Sequence, residues 1–291
     1  MSTATENICK GIVMTVAIIM TVFNRMEQTK QCIQSLEIAL QNVIHHYYIT
    51  DDKSTDNTAD YLENLSQKID INVYQGNGDL YWNRGMYHSF EKALQKEYDV
   101  FLWVNNDTVF YENMWDILIN NYRKAEPFSV ICGVLQSAVS GETTYGGTDK
   151  SGLLNPCGDI RECTHINGNC LFIPKIVAEK IGNLDYHYEH SLGDFDYGQR
   201  ILNYSGKLYS SSDYVGVCER NPIKDTWQDK DLPFLKRISL MKLKTGLPRK
   251  SYKRYLRKWN RKTWIFYYYK PYLDIFGDSI GKSFRRKHYD N

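Results

Sequence analysis

Hydrophobic and polar positions along the first hundred residues fall into blocks of changing period. Val13–Phe23 is apolar almost throughout, as expected of a strand buried on both faces. Glu27–Leu40 follows with Cys32, Ile33, Leu36 and Leu40 at helical spacing. Val43–Thr50 predicts a second strand, and Asp56–Leu65 a helix whose Asp-Asn-Thr start offers capping side chains. Ile71–Gln75 reads as a short strand, Asn83–Gln95 as a third helix and Val100–Val104 as a fourth strand. Strands alternating with helices of this length predict βαβ units, hence an α/β fold with a mainly parallel central sheet and flanking helices. Such sheets bind ligands beyond the carboxyl ends of their strands. The polar clusters fall at those ends: Asn24, Asp51-Asp52, Asn77–Asp79 and Asn105–Asp107.

The periodicity is weaker further on. Ser137–Gly158, rich in Gly, Ser and Thr, predicts loops or a hairpin; His165–Pro174 predicts a strand; Lys175–Ile181 and Asp194–Leu202 predict helices. From about Leu232 the chain is basic, aromatic and helical in pattern, so two parts are expected, 1–231 and 232–291.

Charge sharpens that division. The net +2 of the 291 residues conceals a tail from Leu232 with 17 Lys and Arg against three Asp, a net +14 that leaves −12 on residues 1–231. Within Lys250–Lys270, Tyr252, Leu256, Trp259, Thr263 and Phe266 recur at helical spacing among eight cations. One amphipathic basic helix is expected there, suited to an anionic membrane surface. Packing on the acidic body or an oligomer contact is the competing reading, and nucleic acid is the least favoured partner. Gly11–Phe23 is too short to span a bilayer, no later segment is apolar enough, and no secretory signal is evident. A cytoplasmic protein, peripheral at the inner face of the membrane through its tail, is expected. The seven Cys include Cys157, Cys163 and Cys170 near His165, but their spacing does not match paired zinc ligands. Buried free thiols are expected instead.

Four segments carry candidate chemistry. Asp107, in Asn105-Asn106-Asp107 directly after a strand, can hold Mn²⁺ or Mg²⁺ against a diphosphate, although Asn-Asp pairs also make plain turns. One carboxylate of Asp51-Asp52 can accept the ring N–H of uracil or thymine; the segment is also rich in turn-forming Asx residues. Gly76–Gly85 combines glycines, aromatics and Arg84 ahead of a helix, a setting for base, sugar or phosphate. Asp194 and Asp196 open a helix; one can act as general base while the other pairs with Arg200.

In this order, Ile19–Asn24, Asp51–Asp56, Asn105–Asp107 and Gly193–Asp196 with Arg200 resemble the family 2 glycosyltransferases of GT-A fold, over roughly Val13 to Asn221. Gly78–Trp82 and Gly193–Arg200 are most similar to bacterial members that build rhamnose- or galactose-containing surface polysaccharides. The resemblance implies an inverting transfer from a UDP- or dTDP-sugar to a glycan acceptor, and the basic tail suits an acceptor carried on a lipid. The resemblance also implies that Thr21 and Asp52 hold the nucleobase, with Phe23, Asn24, Asp51, Asn83, Arg84 and Asn106 lining the donor site. Asp107 would be the metal acid, Asp194 the base, and Asp196 with Arg200 the support of its helix. Two positions depart from the family pattern: Asn106 stands where a second metal acid is usual, and Gly193 replaces the Glu before the base. A late metal-binding His is also missing from Gly216–Asn221, where Glu219 or Asn221 is the candidate substitute. A sugar nucleotidyltransferase would need a Gly-rich, basic loop after the first strand, and Asn24-Arg25-Met26-Glu27 is not one. A non-catalytic adapter would have no need of Asp52, Asp107 and Asp194 together.

Overall fold

The computed structural model describes residues 14–289, with side chains through residue 280. Val13, at the start of the first predicted strand, lies outside the described residues. Strand β1 (Thr15–Val22) leads into α1 (Met26–Ala39), β2 (Ile44–Asp51), α2 (Thr58–Ser66), β3 (Ile71–Gln75), α3 (Tyr81–Ala93) and β4 (Val100–Val104). These are the expected alternating elements, with ends shifted by a residue or two. The short β5 (Val109–Phe110), α4 (Met114–Lys124) and β6 (Ser129–Gln136) come next. Three small strands follow, β7 (Thr143–Tyr145), β8 (Thr148–Asp149) and β9 (Gly152–Leu153), the last two forming their own hairpin. Then come β10 (Arg161–Glu162), β11 (Cys170–Pro174), α5 (Lys175–Ile181), α6 (Gly193–Asn203) and β12 (Lys207–Val217). The strand expected from His165 begins only at Cys170, because the preceding residues turn to approach α6. The exposed Cys157 and the buried Cys163 and Cys170 are free thiols.

The main sheet runs β10-β12-β6-β11-β4-β1-β2-β3. β1 pairs in parallel with β2 and β4, and β2 with β3; β11 is antiparallel to β4 and β6, and β12 is parallel to β6. The carboxyl ends of β1, β2, β3, β4, β6 and β12 therefore share one edge with the start of β11. β1 explains why its sequence shows no alternation. Val16, Ile18, Met20 and Val22 pack with α1, α2 and α4, while Ala17 and Ile19 pack on the opposite face with α3, α5 and α6. A central strand covered on both sides must be apolar at every position.

The chain divides into two compact units, 1–186 with 193–220, and 187–192 with 221–291. The second thus begins before Leu232 and takes in a short internal segment. It contains α7 (Phe234–Met241), α8 (Arg249–Trp259) and α9 (Trp264–Tyr289), and its core is Tyr188, Leu192, Tyr255, Leu256 and Tyr268. The single helix expected over Lys250–Lys270 is broken at Asn260, and the aromatic stripe of α8 faces inward to this core. The buried Arg237 guanidinium donates to Asp278 at 3.2 Å and to the Trp227 carbonyl at 2.9 Å. Among the described residues no helix is long and apolar enough to cross a membrane.

On the α3 face, Phe90 has no exposed surface and meets Phe101, Trp103 and Tyr197 edge-on at 5.3, 5.4 and 6.3 Å between ring centroids. Phe90→Ala is expected to cost about 3–5 kcal/mol, read as a lowered urea midpoint with an unchanged slope.

Candidate active site

The polar edge of the sheet is assembled by hydrogen bonds between segments distant in sequence. Asp52, just past β2, is only 4% exposed. Its Oδ1 accepts from the Gly78 amide at 2.8 Å, and its Oδ2 from the amides of Leu80 and Tyr81 at 2.9 and 3.1 Å. These bonds fix the turn that launches α3. The neighbouring Asp51 accepts from the Ser54 amide and hydroxyl through Oδ1, while its buried Oδ2 has no hydrogen-bond partner. Asn24 joins the same corner: its amide donates to the Ser54 hydroxyl and its Oδ1 accepts from the Thr55 amide at 2.8 Å. Thr21 donates its hydroxyl to the Thr50 carbonyl, and Phe23 is half exposed at the strand end.

Backbone strain collects here. Asn24, Arg25, Lys53 and Tyr81 all adopt left-handed conformations, with φ between 56° and 63°. For residues with a Cβ this costs about 1–2 kcal/mol each and persists only where surrounding contacts impose it.

The turn after β4 sends its three polar side chains in different directions. Asn105 accepts from the Trp82 indole N–H at 2.7 Å. Asn106 is buried and donates to the Thr29 hydroxyl of α1, so it braces the fold behind the site. Asp107 turns outward and receives the Arg25 guanidinium at 3.0 Å. Cys218, just past β12, lies with its Sγ 3.7 Å from Asp107 Oδ1. Burial first, and the Asp107 charge second, push that thiol up to about 12, so it is neutral at physiological pH. Glu219 accepts from the Ser137 hydroxyl and the Ala138 amide, which turns it toward that loop. Asn221 belongs to the second unit.

No group of three or more His, Cys, Asp or Glu capable of holding a metal occurs among the described residues. The outward-facing Asp107 carboxylate is a hard oxygen donor, the ligand chemistry that suits Mn²⁺ or Mg²⁺.

Asp194 sits at the start of α6, beside the turn before β11. Its Oδ2 accepts from the Gly168 amide at 3.2 Å and its Oδ1 from the Phe195 amide at 2.9 Å. Burial outweighs these bonds and raises the carboxyl to about 6. Asp196 is fully buried and ion-paired with Arg200 at 3.0 Å. Arg200 also donates to the carbonyls of Ile181 and Asn183, tying α6 to the end of α5.

α3 connects Asp194 to the turn that bears Asp107. Trp82 lies flat over Gly168, where a Cβ would overlap the indole, and its N–H reaches Asn105. Asp194, Gly168, Trp82 and Asn105 therefore form one continuous chain of contacts, which ends on the turn that bears Asp107. Asn83 donates to the Asp185 carbonyl at 3.0 Å, and its Oδ1 fills the space a side chain at 193 would need. This is the physical reason for Gly193 at that position. Arg84 donates to the Tyr186 carbonyl and lies over the Tyr186 ring at 5.0 Å. A cavity of about 550 Å³ opens next to it, lined among others by Thr50, Tyr74, Gln75, Asn77, His88 and Tyr186. Of these features, Arg25 and Cys218 were not singled out from the sequence, although a cation directly after the first strand and a thiol within Gly216–Asn221 could have marked them. Tyr74 and Tyr186 carried no signal.

Residues 17–194 match the model of glycosyl transferase family 2, and the chain belongs to that family. No curated protein matches it significantly. Among solved structures it is similar to the mannosyltransferase PcManGT from Pyrobaculum calidifontis, bound to GDP-Man and Mn²⁺. That match has 13% identity, a TM-score of 0.54, and covers 87% of this chain and 70% of the other. GalNAc-T7 with UDP, GalNAc and Mn²⁺ matches at 14% identity and TM-score 0.60, over 96% of this chain and 56% of that one. TarS of S. aureus matches at 12% identity and TM-score 0.54, over 84% and 43%. The chain thus spans about half the length of the last two. These likenesses establish the fold as GT-A.

If Asp52 holds the turn before α3, Asp52→Ala leaves three amides without their acceptor. A loss of about 2–4 kcal/mol in urea unfolding is expected, whereas a residue that only contacts ligand would leave stability unchanged.

Proposed function

We propose that the protein transfers a hexose from a UDP- or dTDP-sugar to a hydroxyl of a lipid-linked glycan, with inversion, in the synthesis of a surface polysaccharide. The observation that carries this reading is the Asp194 carboxyl, raised to about 6 and joined through Trp82 to the turn bearing Asp107. A base with that pKa is ionised at neutral pH yet basic enough to share a proton in a transition state.

In this scheme the nucleotide lies across the carboxyl ends of β1, β2 and β3. Asp52 Oδ1 takes one amide bond in the structure, so it keeps an acceptor position for the ring N–H of uracil or thymine. Thr21 and Phe23 flank the base, and Tyr74 and Tyr186 offer aromatic faces in the adjoining cavity. Asn24, Asp51 and Asn106 act behind the ligand, holding the strand ends in place. Asp107 would hold a divalent ion whose charge offsets that developing on the departing diphosphate. Arg25 then leaves Asp107 and serves the same phosphates. Asp194 removes the proton from the acceptor hydroxyl as its oxygen bonds to the anomeric carbon. The bond from that carbon to the diphosphate oxygen breaks on the opposite face, and its electron pair leaves with the diphosphate. Asp196 and Arg200 keep α6 and its base in position.

The lipid-linked acceptor is supported by the basic tail, and the bacterial surface-polysaccharide setting by the resemblance of Gly193–Arg200.

Three outcomes test the scheme. Asp194→Asn should lower kcat about 10²–10⁴-fold in a donor-turnover assay. In the unaltered protein kcat/KM should fall as pH drops through about 6, because protonation removes the base. Asp107→Ala should abolish stimulation by Mn²⁺ while leaving the melting temperature within about 2 °C. Turnover indifferent to both substitutions would remove the mechanism.

A further inference from the structure

The aromatic stripe of α8 is packed into the core of the second unit, so it is not the surface that meets a partner. The exposed apolar face lies instead on α9. Phe266, Tyr269, Leu273, Phe276 and Ile280 recur at spacings of three and four residues, with Ile265 beside them. Phe266, Leu273 and Phe276 are 61%, 60% and 54% exposed. The opposite side of the same helix carries the buried Tyr268 and Ile275. A stripe of large apolar side chains this long on one exposed helix face marks an interaction surface.

The charge around it says what kind. Lys250, Lys253, Arg254, Arg257 and Lys258 of α8 line an open hollow of about 620 Å³ in the same unit. Arg257 lies 4.5 Å over the Trp264 ring at the start of α9, which ties the cationic helix to the apolar one. Beyond Ile280 the sequence adds Lys282, Arg285, Arg286 and Lys287. A second copy of this chain would bring another tail of +14 against the first. Like charge of that size opposes self-association through this face and favours an anionic partner.

We infer that α9 lies in the interface of an anionic lipid bilayer, its Phe266–Ile280 face among the acyl chains and the α8 hollow on headgroup phosphates. The combination of a wide apolar face with flanking cations is that of a helix lying in the membrane plane. The inference does not depend on which sugar or acceptor the first unit uses, and a failure of the proposed reaction leaves it standing.

The test is co-sedimentation of the full chain with vesicles of phosphatidylcholine alone and of phosphatidylcholine with phosphatidylglycerol. Binding to the anionic vesicles should be at least about tenfold tighter and should weaken with salt. The triple variant Phe266→Ser, Leu273→Ser, Phe276→Ser, altered only at exposed positions, should lose about tenfold or more. Lys250→Gln with Lys253→Gln should weaken binding about fivefold per residue. Circular dichroism checks that each variant is folded, and donor turnover with a water-soluble acceptor should be unchanged in all of them. Equal partition of the unaltered chain and the triple variant would overturn the inference. So would a dimer in light scattering that the triple variant converts to monomer while neither binds vesicles.

Discussion

Three main-chain amides from a turn after β3 converge on one carboxylate at the end of β2. Asp52 is thereby committed to holding Gly78, Leu80 and Tyr81, and this sets where α3 begins and in which direction its first residues point. Almost everything at the polar edge follows from that start. Trp82 reaches Asn105, Asn83 reaches Asp185 and the space beside Gly193, and Arg84 reaches Tyr186. Through Trp82, α3 registers the turn bearing Asp107 against the start of α6, where Asp194 lies. A buried carboxylate that accepts from three backbone donors is costly to disturb, so the placement is rigid.

Arg25 and Asp107 pair at the polar edge of the sheet, so the carboxylate that turns outward after β4 already meets a guanidinium. Asn106, turned inward to Thr29, adds no charge there. In the scheme proposed above, a donor's diphosphate would take over both partners, the guanidinium directly and the carboxylate through a divalent ion. Arg25 is held there by a left-handed backbone at the end of β1, so its position is built into the strand end and not left to a flexible loop.

Much of the first unit was legible in the sequence because a parallel sheet writes itself plainly: apolar strand, amphipathic helix, and polar residues where each strand stops. β1 to β4 and α1 to α3 follow that rule. β6 does not, since Ser-Val-Ile-Cys-Gly-Val-Leu-Gln is buried on both faces and has no period to read. β12 carries three consecutive serines and bulges against β6, which hides it further. In the tail, spacing identified the apolar face of α8 but could not say whether water, lipid or another helix covers it. At the polar edge, residue types picked out the acids Asp52, Asp107 and Asp194. They could not show that Asp52 accepts from three backbone amides, because a main-chain donor leaves no mark in the sequence. Nor could they separate Asp194, which accepts from two backbone amides, from Asp196, which pairs with Arg200.

The contact between Asn83 and Gly193 joins two positions that are far apart along the chain but share one volume. A larger side chain at 193 can be accommodated only if residue 83 becomes smaller, so the two sites should drift as a pair. Anyone wishing to install an acid ahead of Asp194 would have to redesign both at once, and the first step of α3 would be the part that yields.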